Sequence, residues 1–167
     1  MKPPAPAAPS QPAPWWREPT RAHWFVFSVA TLAWLFDCLD QQLFNLARDG
    51  AMEDLIPARA TEFAPYTTSV FLLGWAVGGL ILGSLGDRFG RARMLTLSVL
   101  IYSVCTGLSA FSTGFVDFCA YRFLTGAGIG GVFGLSVALV ADTLPDRARA
   151  PALGLLQSLS AWGNLAA

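Results

Sequence analysis

The sequence predicts an all-α integral membrane protein, and three observations carry that prediction. Of 167 residues, 54% are hydrophobic and only 13% are charged, about half the charge of an ordinary soluble domain. The charged residues gather in short clusters between long neutral stretches. Several of those stretches hold 20 or more residues, enough at ~1.5 Å of rise each to cross a hydrocarbon layer about 30 Å thick. The solvent for much of this surface is therefore lipid. A net charge of zero provides no basic field for nucleic acid.

In chain order, residues 1–20 hold seven of the eleven prolines and read as a disordered, Pro-rich tail that builds neither helix nor ladder. It lacks the basic start and apolar core of a secretory signal. Spans follow over about 24–46, 66–85, 94–115 and 118–141. A fifth begins near residue 152 and is still apolar at residue 167. The expectation is four complete transmembrane helices and the start of a fifth, with the longest outside loop at 47–65.

Basic residues set the orientation. Lys2, Arg17, Arg21, Arg88, Arg91, Arg93, Arg147 and Arg149 fall on one side of the expected layer, and only Arg48 and Arg59 on the other. Positive residues stay in the cytoplasm, so the expected topology has a cytoplasmic N-terminus in a plasma (inner) membrane. Trp15, Trp16 and Trp24 suit an interfacial anchor. His23 begins the first span and reads as an interfacial side chain. Cys38, Cys105 and Cys119 lie within spans without C-x-x-C spacing and read as small packing residues. No metal site or cofactor motif is expected.

Polar groups inside spans are expensive, so each needs a reason. In the first span, WLFDCLDQQLFN places Asp37, Asp40, Gln41 and Phe44 at i, i+3, i+4 and i+7, on one helical face. Two carboxylates there call for a watery cavity or for neutralisation, and closely spaced carboxylates away from bulk water are equipment for taking up and releasing protons. The alternative is that one of them only braces Arg122 or another helix. Arg122 lies near a span end, so an arginine that snorkels to that end is one reading of it.

Glycines mark close helix contacts. Gly126, Gly130 and Gly134 recur every four residues in the fourth span, and Gly74 with Gly78, and Gly79 with Gly83, are similar pairs in the second. Gly126, Gly128 and Gly131 also fit G-x-G-x-x-G, but no strand precedes them, so packing is the expected use.

Between the second and third spans lies GSLGDRFGRARM, residues 83–94. It resembles the loop signature of the major facilitator superfamily, G-x-L-a-D-r-x-G-r-r/k, at Gly83, Leu85, Asp87, Arg88, Gly90, Arg91 and Arg93. YRFLTGAGIGG, residues 121–131, resembles that family's R-x-x-x-G-x-G-x-G element. With the aspartates of span one and ADTLPDRARAPALGLLQS, the chain is similar to the organic-anion (sialate and aromatic acid):proton symporters. It departs from the sialate type in having Val132 where a glutamate often follows the paired glycines.

The resemblance implies an incomplete N-terminal six-helix half of a twelve-helix transporter, with a missing C-terminal half as its partner. It implies alternating access and symport of a small organic anion with protons across the lipid bilayer. It further implies that Asp87, Arg91 and Asp142, with Gly83, Arg88 and Gly90, form a gating latch, and that Asp37, Asp40, Gln41 and Arg122 handle substrate or proton. Two other readings stay open: an uncoupled or cation-coupled sugar or polyol carrier, and a membrane-bound metal-dependent lipid enzyme.

Overall fold

Long neutral runs of Leu, Ala, Val and Phe with no water to satisfy the backbone leave helix as the favoured conformation. The computed structural model describes residues 14–166. A 3-10 turn at Trp15–Arg17 leads into helices α1 (Arg21–Leu55), α2 (Ala60–Phe89), α3 (Arg91–Ser109), α4 (Phe115–Thr143) and α5 (Asp146–Ala166). Helices α1 to α4 are each long and apolar enough to cross a bilayer. The chain is thus a multi-pass membrane protein. Successive helices alternate in direction. One end carries the 3-10 turn and the α2–α3 and α4–α5 connections, and is basic; the opposite end carries the α1–α2 and α3–α4 connections.

Several boundaries differ from the sequence expectation. Residues 1–13 of the expected tail lie outside the described residues, but Trp15 and Glu18 take defined positions. Trp15 packs against a cluster that includes Ala148, Ala152 and Leu156 of α5, and Glu18 pairs with Arg147 at 3.5 Å. The expected outside loop at 47–65 is mostly helix, because α1 runs on to Leu55 and α2 resumes at Ala60. Good helix formers at 51–55 continue α1, while an Arg59–Glu62 ion pair of 2.9 Å secures the start of α2. The third span stops at Ser109 rather than near residue 115, since Ser112, Thr113 and Gly114 supply turn chemistry. Helix α5 starts at Asp146 rather than near residue 152. Pro145 breaks the chain there and Asp146 favours a helix start.

His23 has a more specific place than the membrane interface. Its Nδ1 accepts a hydrogen bond from the Thr20 backbone N–H at 3.1 Å, and the Thr20 hydroxyl oxygen accepts from the third helical N–H, which closes a capping box at the start of α1.

Helix α4 is the centre of the bundle. It lies against α2 on one side and α3 on another, with α1 also touching it. Between helices in lipid, close van der Waals contact does the work that water exclusion does elsewhere. The glycines supply it. A Cβ at Gly74 would run into the Phe123 carbonyl and one at Gly78 into Ala127; a Cβ at Gly126 would meet the Phe71 carbonyl and one at Gly130 the Trp75 carbonyl. Gly128 and Gly131 face the other way, against Ser98 and Tyr102 of α3 and Leu82 of α2. A Cβ at Gly134 or Gly83 would meet nothing within 4 Å among the described residues, so these two glycines lie off the α2–α4 contact face, although the seam continues to Gly86 and Leu135.

Candidate functional site

Two polar sites emerge, one toward each end of the bundle. Near the end bearing the α3–α4 connection, Arg122 sits in the first turns of α4 and is only 4% exposed. Its Nη2 donates to Ser109 Oγ, 2.7 Å away at the last residue of α3. The Ser109 hydroxyl in turn donates to the Thr106 carbonyl at 2.6 Å. The Arg122 Cζ lies 3.9 Å from the centroid of Phe44 and 5.4 Å from that of Phe118. A desolvated guanidinium over aromatic faces gains about 2 kcal/mol from cation–π attraction. Arg122 is therefore held inward rather than snorkelling out, and burial between rings leaves its donor edge directed by Ser109.

Asp40 of α1 lines two cavities with Arg122, one of about 280 Å³ that also touches Thr106 and Ser109, and one of about 110 Å³ that also touches Gln41, Asn45 and Thr68. Thr106 Oγ1 donates to Asp40 Oδ2 at 3.4 Å. Among the described residues Arg122 forms no ion pair. Positive and negative side chains thus share a largely apolar cavity without neutralising each other at contact distance. Such a cavity has the chemistry to take a small anion at the guanidinium and a proton at the carboxylate.

Asp37 departs from the expected shared face. It is fully buried, at 0% exposure, it lines neither of these cavities, and neither carboxylate oxygen has a hydrogen-bond partner among the described residues. One turn away Trp34 packs on Phe133 of α4 at 4.8 Å, which closes α1 against α4 at this depth. The expected hydrated face is split: Asp40, Gln41 and Phe44 reach the cavities, and Asp37 is sealed.

At the basic end, Arg91 opens α3 and is a three-way junction. Its Nη1 donates to Asp142 Oδ2 and to the Ala138 carbonyl, both at 2.6 Å, and its Nη2 donates to Asp87 Oδ1 at 3.2 Å. The geometry depends on the tight turn before it. Gly90 takes φ 97°, the one positive φ among the described residues, which lets α3 start directly after the turn that ends α2. Gly86 meets Leu135 and the Arg91 stem. Arg88 and Gly83 lie near in sequence but outside this cluster; Arg88 is exposed and forms none of the ion pairs found among the described residues.

Sequence reasoning missed the partners that come from other helices: Ser109 and Thr106, the Phe44 ring over Arg122, and the Ala138 carbonyl on Arg91. The hydroxyls at 106 and 109 were a legible signal, being one turn apart on a span.

Residues 24–167 match the Major Facilitator Superfamily. The chain is 33% identical over 143 residues to the niacin transporter NiaP of Acinetobacter baylyi, a match that covers 84% of this chain and 31% of that protein. It is 31% identical over 153 residues to the benzoate transport protein of the same organism, covering 89% and 32%. With human organic anion transporter 3 it shares 36% identity over 115 residues, covering 68% and 21%. The chain thus spans about a third or less of the length of these curated relatives.

Proposed function

The chain belongs to the Major Facilitator Superfamily, and from that premise we propose that it is the N-terminal portion of a twelve-helix secondary transporter that moves a small organic carboxylate together with protons by alternating access. The observation that carries the reading is Arg122: a buried guanidinium stacked on Phe44 and sharing a cavity with Asp40, yet forming no ion pair among the described residues. An arginine that is held inward in a membrane span instead of reaching out to the nearby helix end has a use for its charge. A solute carboxylate is its natural partner. The named relatives, which carry niacin, benzoate and organic anions, support an anionic solute and support transport over enzyme chemistry.

In this reading Arg122 holds the carboxylate, Gln41 donates to it from α1, and Asp40 and Asp37 take and pass the coupled proton. Solute and proton leave together when the two transporter halves rock about the site. Asp87, Arg91 and Asp142, on the turn set by Gly90 and flanked by Gly83 and Arg88, form the latch of the cytoplasmic side. Its ion pairs close in one state and open in the other. The bias of basic residues supports an N-terminus in the cytoplasm of a cell whose inner or plasma membrane holds the protein. The lipid bilayer and a C-terminal half complete the assembly.

The test is uptake of radiolabelled benzoate and niacin into vesicles bearing the protein at its full genomic length, with and without an imposed pH gradient. Proton-driven accumulation is expected, and it is lost in Asp37→Asn and in Asp40→Asn singly. Retained proton-driven accumulation in both variants contradicts the coupling assignment. Uptake indifferent to pH favours the uncoupled or cation-coupled carrier instead.

A further inference from the structure

The polar lining of the Arg122 cavity does not stop at the cavity. Along α1, Gln41, Asn45 and Arg48 follow one another at i, i+4 and i+7, one helical stripe that runs from the cavity toward the α1–α2 end. Gln41 and Asn45 line the 110 Å³ cavity with Arg122, as does Thr68 of α2. Arg48 Nη1 donates to that Thr68 hydroxyl at 3.1 Å. On its other side Arg48 lines a separate cavity of about 270 Å³ at the α1–α2 end, with Asp49, Glu53 and Thr61. Its side chain therefore lines the cavity at the α1–α2 end while its guanidinium bonds Thr68, a residue of the Arg122 cavity.

Resting on the transporter reading above, we propose that Arg48 is a binding residue that captures the solute carboxylate at the α1–α2 end and hands it to Arg122. Its present partners fit that use. Nε is held by Asp49 Oδ1 at 3.0 Å, a carboxylate on the neighbouring residue whose side chain is 70% exposed, while the Arg48 side chain is only 27% exposed. An exposed, screened pair of this kind is weak, so an arriving carboxylate displaces Asp49 at little cost. Asp49 marks the carboxylate position and competes for it. The planar fork suits a carboxylate better than an ammonium does. Glu53 adds negative charge to the outer cavity, which makes the single guanidinium the only attraction an anion finds on that wall among the residues lining it.

The proposal gives two substitutions opposite signs. In full-length protein, with radiolabelled benzoate and niacin as probes, Arg48→Gln raises KM about tenfold, the equivalent of one charge-assisted hydrogen-bond contact, with kcat little changed. Asp49→Asn lowers KM roughly two- to threefold by removing a weak competitor. Arg48→Lys falls between wild type and Arg48→Gln, and added salt raises the wild-type KM more than that of Arg48→Gln. A structural brace moves none of these in that pattern. If Arg48→Gln does not reach the membrane, Arg48→Lys and Asp49→Asn carry the test. Unchanged KM in Arg48→Gln beside a raised KM in Arg122→Gln, or a raised KM in Asp49→Asn, overturns this proposal alone. Absence of uptake of both probes by the unsubstituted protein overturns the carboxylate reading and this proposal with it.

Discussion

Arg91 Nη1 lies 2.6 Å from Asp142 Oδ2, so one guanidinium joins the first residue of α3 to the last turn of α4. The same side chain holds Asp87 at the end of α2. Three helix ends are tied at a single group, at the end of the bundle where the chain makes its tightest turn.

Stability and gating separate at this junction. Asp142 is 60% exposed, so a double-mutant cycle on Arg91→Gln and Asp142→Asn, read by unfolding of purified protein, gives a coupling of about 0.5–1 kcal/mol. Asp87→Asn is expected to leave unfolding nearly unchanged while depressing the turnover of solute uptake. Equal uptake in Asp87→Asn and wild type removes the latch role from Asp87.

The α2–α4 seam predicts a steep positional pattern. Gly126→Val and Gly78→Val place side-chain atoms where backbone already lies, and the folded yield in detergent falls sharply. Gly134→Ala meets open space and stays near wild type. Size-exclusion profiles of the three variants check this; equal yields would mean that the seam does not hold the bundle.

Asp37 links function to a cost. A buried carboxyl without a partner destabilises the fold by about 1–3 kcal/mol relative to an apolar side chain of similar size. Asp37→Val is expected to raise the unfolding temperature while abolishing proton-driven accumulation. A lower unfolding temperature would mean that the carboxyl has a stabilising partner in the working protein.

The Arg122 setting depends on shape as well as charge. Lysine cannot lie flat on Phe44 while donating to Ser109, so Arg122→Lys is expected to raise KM for benzoate roughly 10- to 100-fold, the range for losing a charge-assisted contact of about 1.5–3 kcal/mol. Phe44→Leu keeps the charge but removes the stacking face, and gives a smaller rise. Wild-type KM in Arg122→Lys would reduce the group to a point charge.

Much of the bundle was legible because its signals are local. Runs of apolar residues mark the spans, Gly90 marks the turn before α3, and clustered arginines mark one end. The boundaries that shifted, at 47–65, 109–115 and 146–152, depend on ion pairs and turn chemistry that outweigh hydropathy over a few residues. Gly134 shows the limit of a periodic pattern, since spacing names a stripe but not which of its glycines another helix lies on.

The sequence by itself determined that this chain crosses a membrane as helices and that its charged residues inside those helices are few, because the cost of burying backbone and charge in lipid is paid residue by residue. Only the tertiary structure decided that Asp40 shares a cavity with Arg122 while Asp37, one turn away, is sealed. Those two aspartates have the same chemistry and nearly the same helical face; what separates them is the neighbouring helix, and contacts between helices are set by packing that no single span encodes.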